Sequence, residues 1–189
     1  KEINQYLKYE KKNFRKNIQM GFQDPYGSLN PRKTIGTTLS LAIKIHFKLS
    51  EDEIKNKVFE LLEKVELTPP EVFYERHPHE LSGGQQQRVA IARAISTEPK
   101  LIISDEAVAS LDMSIRSEIL KLLKKINIET KVSMIMISHD LSVLKNMCNR
   151  IAIMHLGKIV EIGDKEKILG SPQHNYTKKL ISATLEIPN

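Results

Sequence analysis

The chain has 189 residues, 40% of them hydrophobic, which is enough for one domain with a substantial core and too few for two large ones. Its 29 Lys and Arg against 23 Asp and Glu give a formal charge of +6. No block of five like charges occurs, which argues against a disordered basic arm for nucleic acid. The single cysteine, Cys148, excludes an internal disulfide, a Cys-rich zinc site and a Cys-ligated iron–sulfur cluster, and it fits a reducing compartment. No apolar run approaches the ~20 residues needed to cross a bilayer.

In chain order, Lys1 to Arg15 is polar and Lys-rich, and Ile18 to Phe22 reads as a short strand. Asp24-Pro25-Tyr26-Gly27 follows with strong turn chemistry. From Pro31 to about Glu66 the pattern is helical, with Ile54, Val58, Leu61, Leu62 and Val65 on one stripe. Pro69-Pro70 ends that helix, and His77-Pro78-His79 makes a second break before a helix running to about Ile95. After Pro99, short apolar runs alternate with helical stretches, the texture of parallel βαβ units. The candidate strands are Leu101 to Ser104, Val132 to Ser138, Ile151 to His155 and Lys158 to Ile162, with a tight hairpin at Leu156-Gly157. Helices are expected from the Ile115, Ile119, Leu122, Leu123, Ile126 spacing, over Leu141 to Met147, after Asp164 as N-cap, and over Asn175 to Ser182.

Four motifs carry chemistry. Leu81-Ser82-Gly83-Gly84-Gln85-Gln86-Gln87-Arg88 precedes an amphipathic helix. Paired glycines expose the N–H groups of a helix N-terminus to an anion, and Ser82 adds a hydroxyl donor. The same residues also suit an ordinary Ser N-cap. Leu101 to Glu106 is an apolar strand ending in two acids. In a parallel sheet ligands bind beyond the carboxyl strand ends, so Asp105 is suited to Mg²⁺ and Glu106 to accepting a proton from attacking water. Asp112, in the Ser110-Leu111-Asp112 turn, equally suits an N-cap. Ser138-His139-Asp140 ends the next strand, putting His139 at the same sheet edge, where an imidazole N–H reaches a phosphate oxygen. Gln23 follows the first strand, positioned to orient water or a metal ligand. His77 and His79 lack a nearby third ligand and read as loop histidines.

Taken together, Gln23, Leu81 to Arg88, Asp105-Glu106, Asp112 and His139 occur in the order of an ABC-type ATPase, and the resemblance covers nearly the whole chain. It implies an α/β fold, a P-loop NTPase-like parallel sheet core with a helical insert subdomain. The insert would span 31–95, the core 1–30 and 96–170, and a C-terminal tail 171–189. In family terms Gln23 matches the Q-loop, Leu81 to Gln85 the signature motif, Leu101 to Glu106 the Walker B strand with its catalytic Glu, Ser110 to Asp112 the D-loop, and His139 the switch histidine. The stretch Phe22 to Arg32 and the tail from Ser171 through His174-Asn175-Tyr176-Thr177 resemble the oligopeptide, dipeptide and nickel importers.

That resemblance implies ATP and Mg²⁺ as ligands and a head-to-tail pairing with a second ABC ATPase subunit, identical or not. Ser82, Gly83, Gly84, Gln85 and Asp112 would face nucleotide, Asp105 and Gln23 the metal, and Glu106, His139 and Gln23 the reaction. Transmembrane permease subunits and, indirectly, a substrate-binding protein would be partners, at the cytoplasmic face of the membrane, with no nucleic acid. Ala107 departs from the usual Pro, Gly21 from a bulky apolar residue, and Asn175 from a common Pro. None of the eight glycines opens a Gly-x-x-x-x-Gly-Lys-Ser/Thr phosphate loop. With Lys1 in place of Met, the resemblance therefore implies the downstream part of a larger domain, with weak ATP binding on its own and an unpaired sheet edge. The other readings are a DNA-repair or translation ATPase, against which the short insert and His139 stand, and a degenerate partner subunit.

Overall fold

Strands β1 (Ile18–Gly21), β2 (Leu101–Asp105) and β3 (Ser133–Ile137) pair in parallel in the order β1-β2-β3. They belong to a computed structural model that describes residues 10–21, 25–109 and 111–185. The register sets Met20 beside Ile103, Ile103 beside Ile135, and Asp105 beside Ile137. Because strand side chains alternate, Ile102 and Ser104 share one face and are buried at 1% and 2% exposure. Met20, Ile135 and Ile137 share the other and are 67%, 49% and 48% exposed. Parallel sheets normally cover both faces; among the described residues only one is covered.

The helices before β2 are α1 (Lys11–Asn17), α2 (Pro25–Ser28), α3 (Ile35–His46), α4 (Glu51–Lys64), α5 (Pro70–Glu75) and α6 (Gly83–Ile95), with a 3₁₀ turn at Pro78–Glu80. The long helical stretch expected from Pro31 to Glu66 is two helices. Phe47 and Leu49 continue the apolar spacing, but Ser50 starts a new helix with a capping box, its N–H donating to Glu53 Oε2 at 2.7 Å and its hydroxyl accepting from the Glu53 N–H at 3.3 Å. The cap contributes about 1 kcal/mol. Each of the buried Ile54, Val58 and Leu62 contributes about 1.5–3 kcal/mol, so the apolar stripe rather than the cap holds α4 against α3 and α5.

Helix α6 packs against α2, α3, α4, β1 and α7 (Met113–Thr130). Its Val89, Ala90, Ile91, Ala92, Ala94 and Ile95 are all buried, which surrounds a helix with protein rather than laying it on a surface. On α7 the predicted stripe of Ile119, Leu122, Leu123 and Ile126 is buried, and it connects β2 to β3 as the crossover of a βαβ unit.

The described chain divides into two compact units, the first ending at Ile137 and the second beginning at Ser138. The second holds α8 (Leu141–Met147), β4 (Arg150–His155), β5 (Lys158–Asp164), α9 (Lys165–Gly170) and α10 (Asn175–Leu185). β4 and β5 do not continue the parallel sheet. They form a separate antiparallel pair, because two residues, Leu156 at φ 47° and Gly157 at φ 75°, make a hairpin turn and leave no room for a crossover. The Glu161 carboxylate of β5 accepts the N–H groups of Gln173 at 2.8 Å and His174 at 3.0 Å, and His155 stacks on Tyr176 with centroids 3.8 Å apart, which fixes the start of α10.

Candidate functional site

Ser82 has extended backbone and caps α6. Its hydroxyl oxygen accepts the Gln85 N–H at 3.3 Å, while the Gln85 side chain accepts the Ser82 N–H at 3.0 Å. The cap uses the oxygen of Ser82 and leaves its hydroxyl proton available, so N-cap and anion donor are compatible roles for one residue. Gly83 and Gly84 open the helix, where the first N–H groups have no intrahelical acceptor and aligned peptide dipoles favour negative charge. Ser82 and Gly83 are exposed, whereas Gly84 is buried. A Cβ on Gly84 would meet Ile115 Cγ2 at 2.8 Å, and one on Gly83 would meet nothing within 4 Å.

Asp105 is the last residue of β2 and Glu106 follows it with φ 45°, in the left-handed region that few non-glycine residues adopt. The Glu106 N–H donates to the Ile137 carbonyl at 3.0 Å and its carbonyl accepts from Ala109 N–H at 3.1 Å. Both acids are half-buried at the carboxyl edge of the sheet. Among the described residues no three His, Cys, Asp or Glu side chains enclose a metal by themselves. Mg²⁺ at a nucleotide takes one or two carboxylates and completes its shell with phosphate and water, and Asp105 at the strand end is one such carboxylate.

Two groups of expected site residues are joined through α6. Gln87, buried at 1% exposure, donates its Nε2 hydrogen to the Ala107 carbonyl at 2.7 Å, one residue after Glu106. Ser82 lies about 7.5 Å away along the helix axis, towards its N-terminus. Arg93, near the other end of α6, donates to the Ser28 carbonyl at 2.6 Å, tying in the short helix that follows the Gln23 segment. Burial lowers the Arg93 pKa from its ordinary value.

Asp112 takes the N-cap position of α7, but its side chain makes no cap hydrogen bond there, which leaves its exposed carboxylate for another role. His139 is exposed and lies two residues beyond Ile137, the β3 residue registered with Asp105; it belongs to the second unit. Gln23 and Ser110 fall outside the described residues. His77 and His79 stack with centroids 5.6 Å apart, and the His77 N–H donates to Glu80 at 2.6 Å, a loop role. Two residues escaped attention in the sequence. Gln87 and Arg88 were part of the signature string without a task of their own, and the available signal was that Gln87 falls at helical spacing from the apolar Ala90, Ile91 and Ala94.

A parallel sheet ending in paired acids beside a glycine-opened helix is the architecture of an ABC-type nucleotide-binding cassette. The ABC transporter family profile matches residues 1–109, and the chain belongs to that family. It is 46% identical over 170 residues to the dipeptide transport ATP-binding protein DppF of Haemophilus influenzae, covering 90% of this chain and 51% of that protein. It is also 46% identical over 169 residues to the glutathione import ATP-binding protein GsiA of Escherichia coli O6:H1, covering 89% and 27% respectively. The chain thus spans about half, or less, of the length of these curated relatives. The dimeric post-hydrolysis structure of the ATP-binding cassette MJ0796, bound to ADP and Pi, superposes with a TM-score of 0.70 at 31% identity, covering 82% of this chain and 65% of that one.

Proposed function

We propose that this chain is part of an ATP-hydrolysing subunit that powers uptake of short peptides through a membrane transporter. The observation that carries the reading is Glu106, an acid held left-handed by Ile137 and Ala109 immediately beyond the strand that ends in Asp105. The transport and import names of the two relatives support the peptide cargo, and the dimeric ADP-bound cassette supports a paired nucleotide site.

In this reading Glu106 accepts the proton of the water that attacks the γ-phosphate, and His139 donates to a phosphate oxygen. Asp105, with Gln23, would hold Mg²⁺, which would supply positive charge to neutralise the phosphate oxygens. The hydroxyl of Ser82 and the N–H groups of Gly83 and Gly84 grip the nucleotide bound to the opposite subunit, alongside Gln85 and Asp112. Hydrolysis separates the paired subunits, and helical segment 31–95 with the Gln23 loop passes that motion to permease subunits, with Arg93 on Ser28 as one mechanical link. None of the described helices is long and apolar enough to cross the membrane. The transport and import names of the two relatives support a subunit that works from the cytoplasmic face, against partners that cross the membrane.

The test is ATP turnover by the complete subunit beside Glu106→Gln and Asp105→Asn. Glu106→Gln is expected to lose roughly 10²-fold or more in kcat with ATP still bound, as removal of a general base does. Undiminished turnover removes Glu106 from the role. For the 189-residue chain alone, the missing phosphate-loop motif implies weak nucleotide binding, and tight Mg²⁺-dependent ATP binding in calorimetry contradicts that.

A further inference from the structure

Gln87 is a polar side chain at 1% exposure, and its amide donates to a carbonyl 20 residues further along the chain. An amide is buried this deeply only where a hydrogen bond offsets its desolvation. Neighbouring Gln86 shows a purely local solution, its Nε2 donating to the Pro78 and Leu81 carbonyls in the loop that enters its own helix. Gln87 reaches instead to the Ala107–Val108 peptide, one residue beyond Glu106.

That peptide needs holding. Glu106 sits at φ 45°, a conformation non-glycine residues leave unless their surroundings enforce it. The Ile137 carbonyl and the Ala109 N–H fix the two ends of Glu106 itself, and the second of these bonds closes a turn that runs through Ala107. The next carbonyl, that of Ala107, is fixed by the Gln87 side chain. If that carbonyl swings, the Glu106 backbone relaxes and its carboxylate no longer points where it did.

We propose that Gln87 is a positioning residue for Glu106: its amide clamps the Ala107 carbonyl and thereby holds the backbone that aims the carboxylate at the attacking water. The proposal rests on the reading of Glu106 as the base, and it makes the helix that opens with Ser82 also set the base of the same chain.

The experiment compares the complete ATPase with Gln87→Leu, Gln87→Glu, Gln86→Leu, Glu106→Gln and the double variant Gln87→Leu/Glu106→Gln, with Tm measured for each. Gln87→Leu keeps the side chain's bulk and removes its donor; kcat is expected to fall roughly ten- to hundredfold, the range a misplaced catalytic group produces, with the ATP KM within about twofold. Gln87→Glu presents a donor to Ala107 only when protonated, so its kcat relative to the parent should rise as pH is lowered, and it serves as the second variant if Gln87→Leu fails to fold. Gln86→Leu should lower Tm and leave kcat of the folded protein near the parent value. The double variant should be no slower than Glu106→Gln alone, because a base already removed cannot be misaimed. Losses that multiply in the double variant overturn the proposal, as does a Gln87→Leu protein that matches Gln86→Leu in keeping its kcat. If Glu106→Gln itself turns over normally, the base reading fails and the positioning role goes with it. Slow Glu106→Gln beside normal Gln87→Leu sinks the positioning role alone.

Discussion

Gly84 lies so close to Ile115 that a Cβ on the glycine would stand 2.8 Å from the isoleucine Cγ2. The atom it would meet belongs to a β-branched side chain with a stiff χ1, near the start of α7. Gly84 therefore answers to packing as well as to any anion at the helix N-terminus. Gly84→Ala is expected to destabilise by about 1–3 kcal/mol through overpacking, more than the ~1 kcal/mol that alanine gains over glycine inside a helix. Gly83→Ala, facing open space, should leave Tm unchanged or raise it. Adding Gly84→Ala to Ile115→Ala should cost little Tm beyond Ile115→Ala alone, because the clashing Cγ2 is gone. Equal melting of the two single alanine variants would defeat the packing argument.

Arg88 joins three helices. Its Nη1 donates to the Val65 carbonyl at 3.0 Å and to Glu66 at 2.6 Å, and its Nη2 donates to Glu118 at 3.3 Å. The guanidinium side chain is 13% exposed, whereas Glu66 and Glu118 are 49% and 63% exposed, so solvent screens both ion pairs. The charged hydrogen bond to Val65 at the end of α4 decides the balance, contributing about 1.5–3 kcal/mol. Arg88→Met, which keeps the apolar stem, should lose an amount in that range by urea denaturation. Arg88→Lys should recover little, since one ammonium cannot serve acceptors on two sides. If 1 M salt removes the difference between parent and Arg88→Met, the screened pairs dominate and this assignment fails.

The elements most legible in the sequence are those set by local periodicity. The stripe Ile54, Val58, Leu61, Leu62, Val65 lies on a helix that buries it, and the apolar run Leu101 to Ser104 is a strand within one residue of its observed end. The acids Asp105 and Glu106 follow from that strand's end, so this part of the site is legible too. What stayed hidden depends on partners distant in sequence. Nothing near Gln87 announces that its acceptor is the Ala107 carbonyl, and the left-handed turn of Glu106 is enforced by Ile137 from another strand. The break at Ser50 was masked because Phe47 and Leu49 extend the helical spacing through it. A capping box, Ser50 with Glu53, was the signal that outweighed the period.

In the insert, Gly36 faces the ring of Tyr74, and a Cβ there would stand 2.5–2.6 Å from ring atoms. The ring cannot retreat freely, because its other neighbour is Phe59 in an edge-to-face contact with centroids 5.5 Å apart. Gly36→Ala should therefore cost about 1–3 kcal/mol, seen as a lower Tm, and Tyr74→Ala in that background should remove the clash. A Gly36→Ala chain that melts like the parent would mean that α3 and α5 slide apart at little cost.

His46, at the end of α3, supplies a pH dependence of determinate sign. Its burial, then the charges of Lys12 and Lys16 on α1, lower its pKa below the ordinary 6.5, and its Nδ1 has no hydrogen-bond partner among the described residues. Lys16 is held near by Phe47, its Nζ 4.3 Å from the ring centroid, so the cationic surroundings are built into the packing. Above pH 6.5 the imidazole is neutral folded and unfolded, and contributes no slope. As pH falls through 6.5 the unfolded chain takes up the proton first, so stability declines until the lower folded pKa is reached and is flat below it. Carboxylates act in a lower window: Glu53, whose pKa is lowered chiefly by the Ser50 N–H, contributes stability above 4.5 that is lost as pH falls through its folded value. His46→Gln should therefore flatten Tm between pH 7 and the onset of the carboxylate region, leaving the acid limb in place. Lys12→Gln should raise the His46 pKa in an NMR titration. A His46 that titrates at 6.5 or above in the folded chain would refute the assignment.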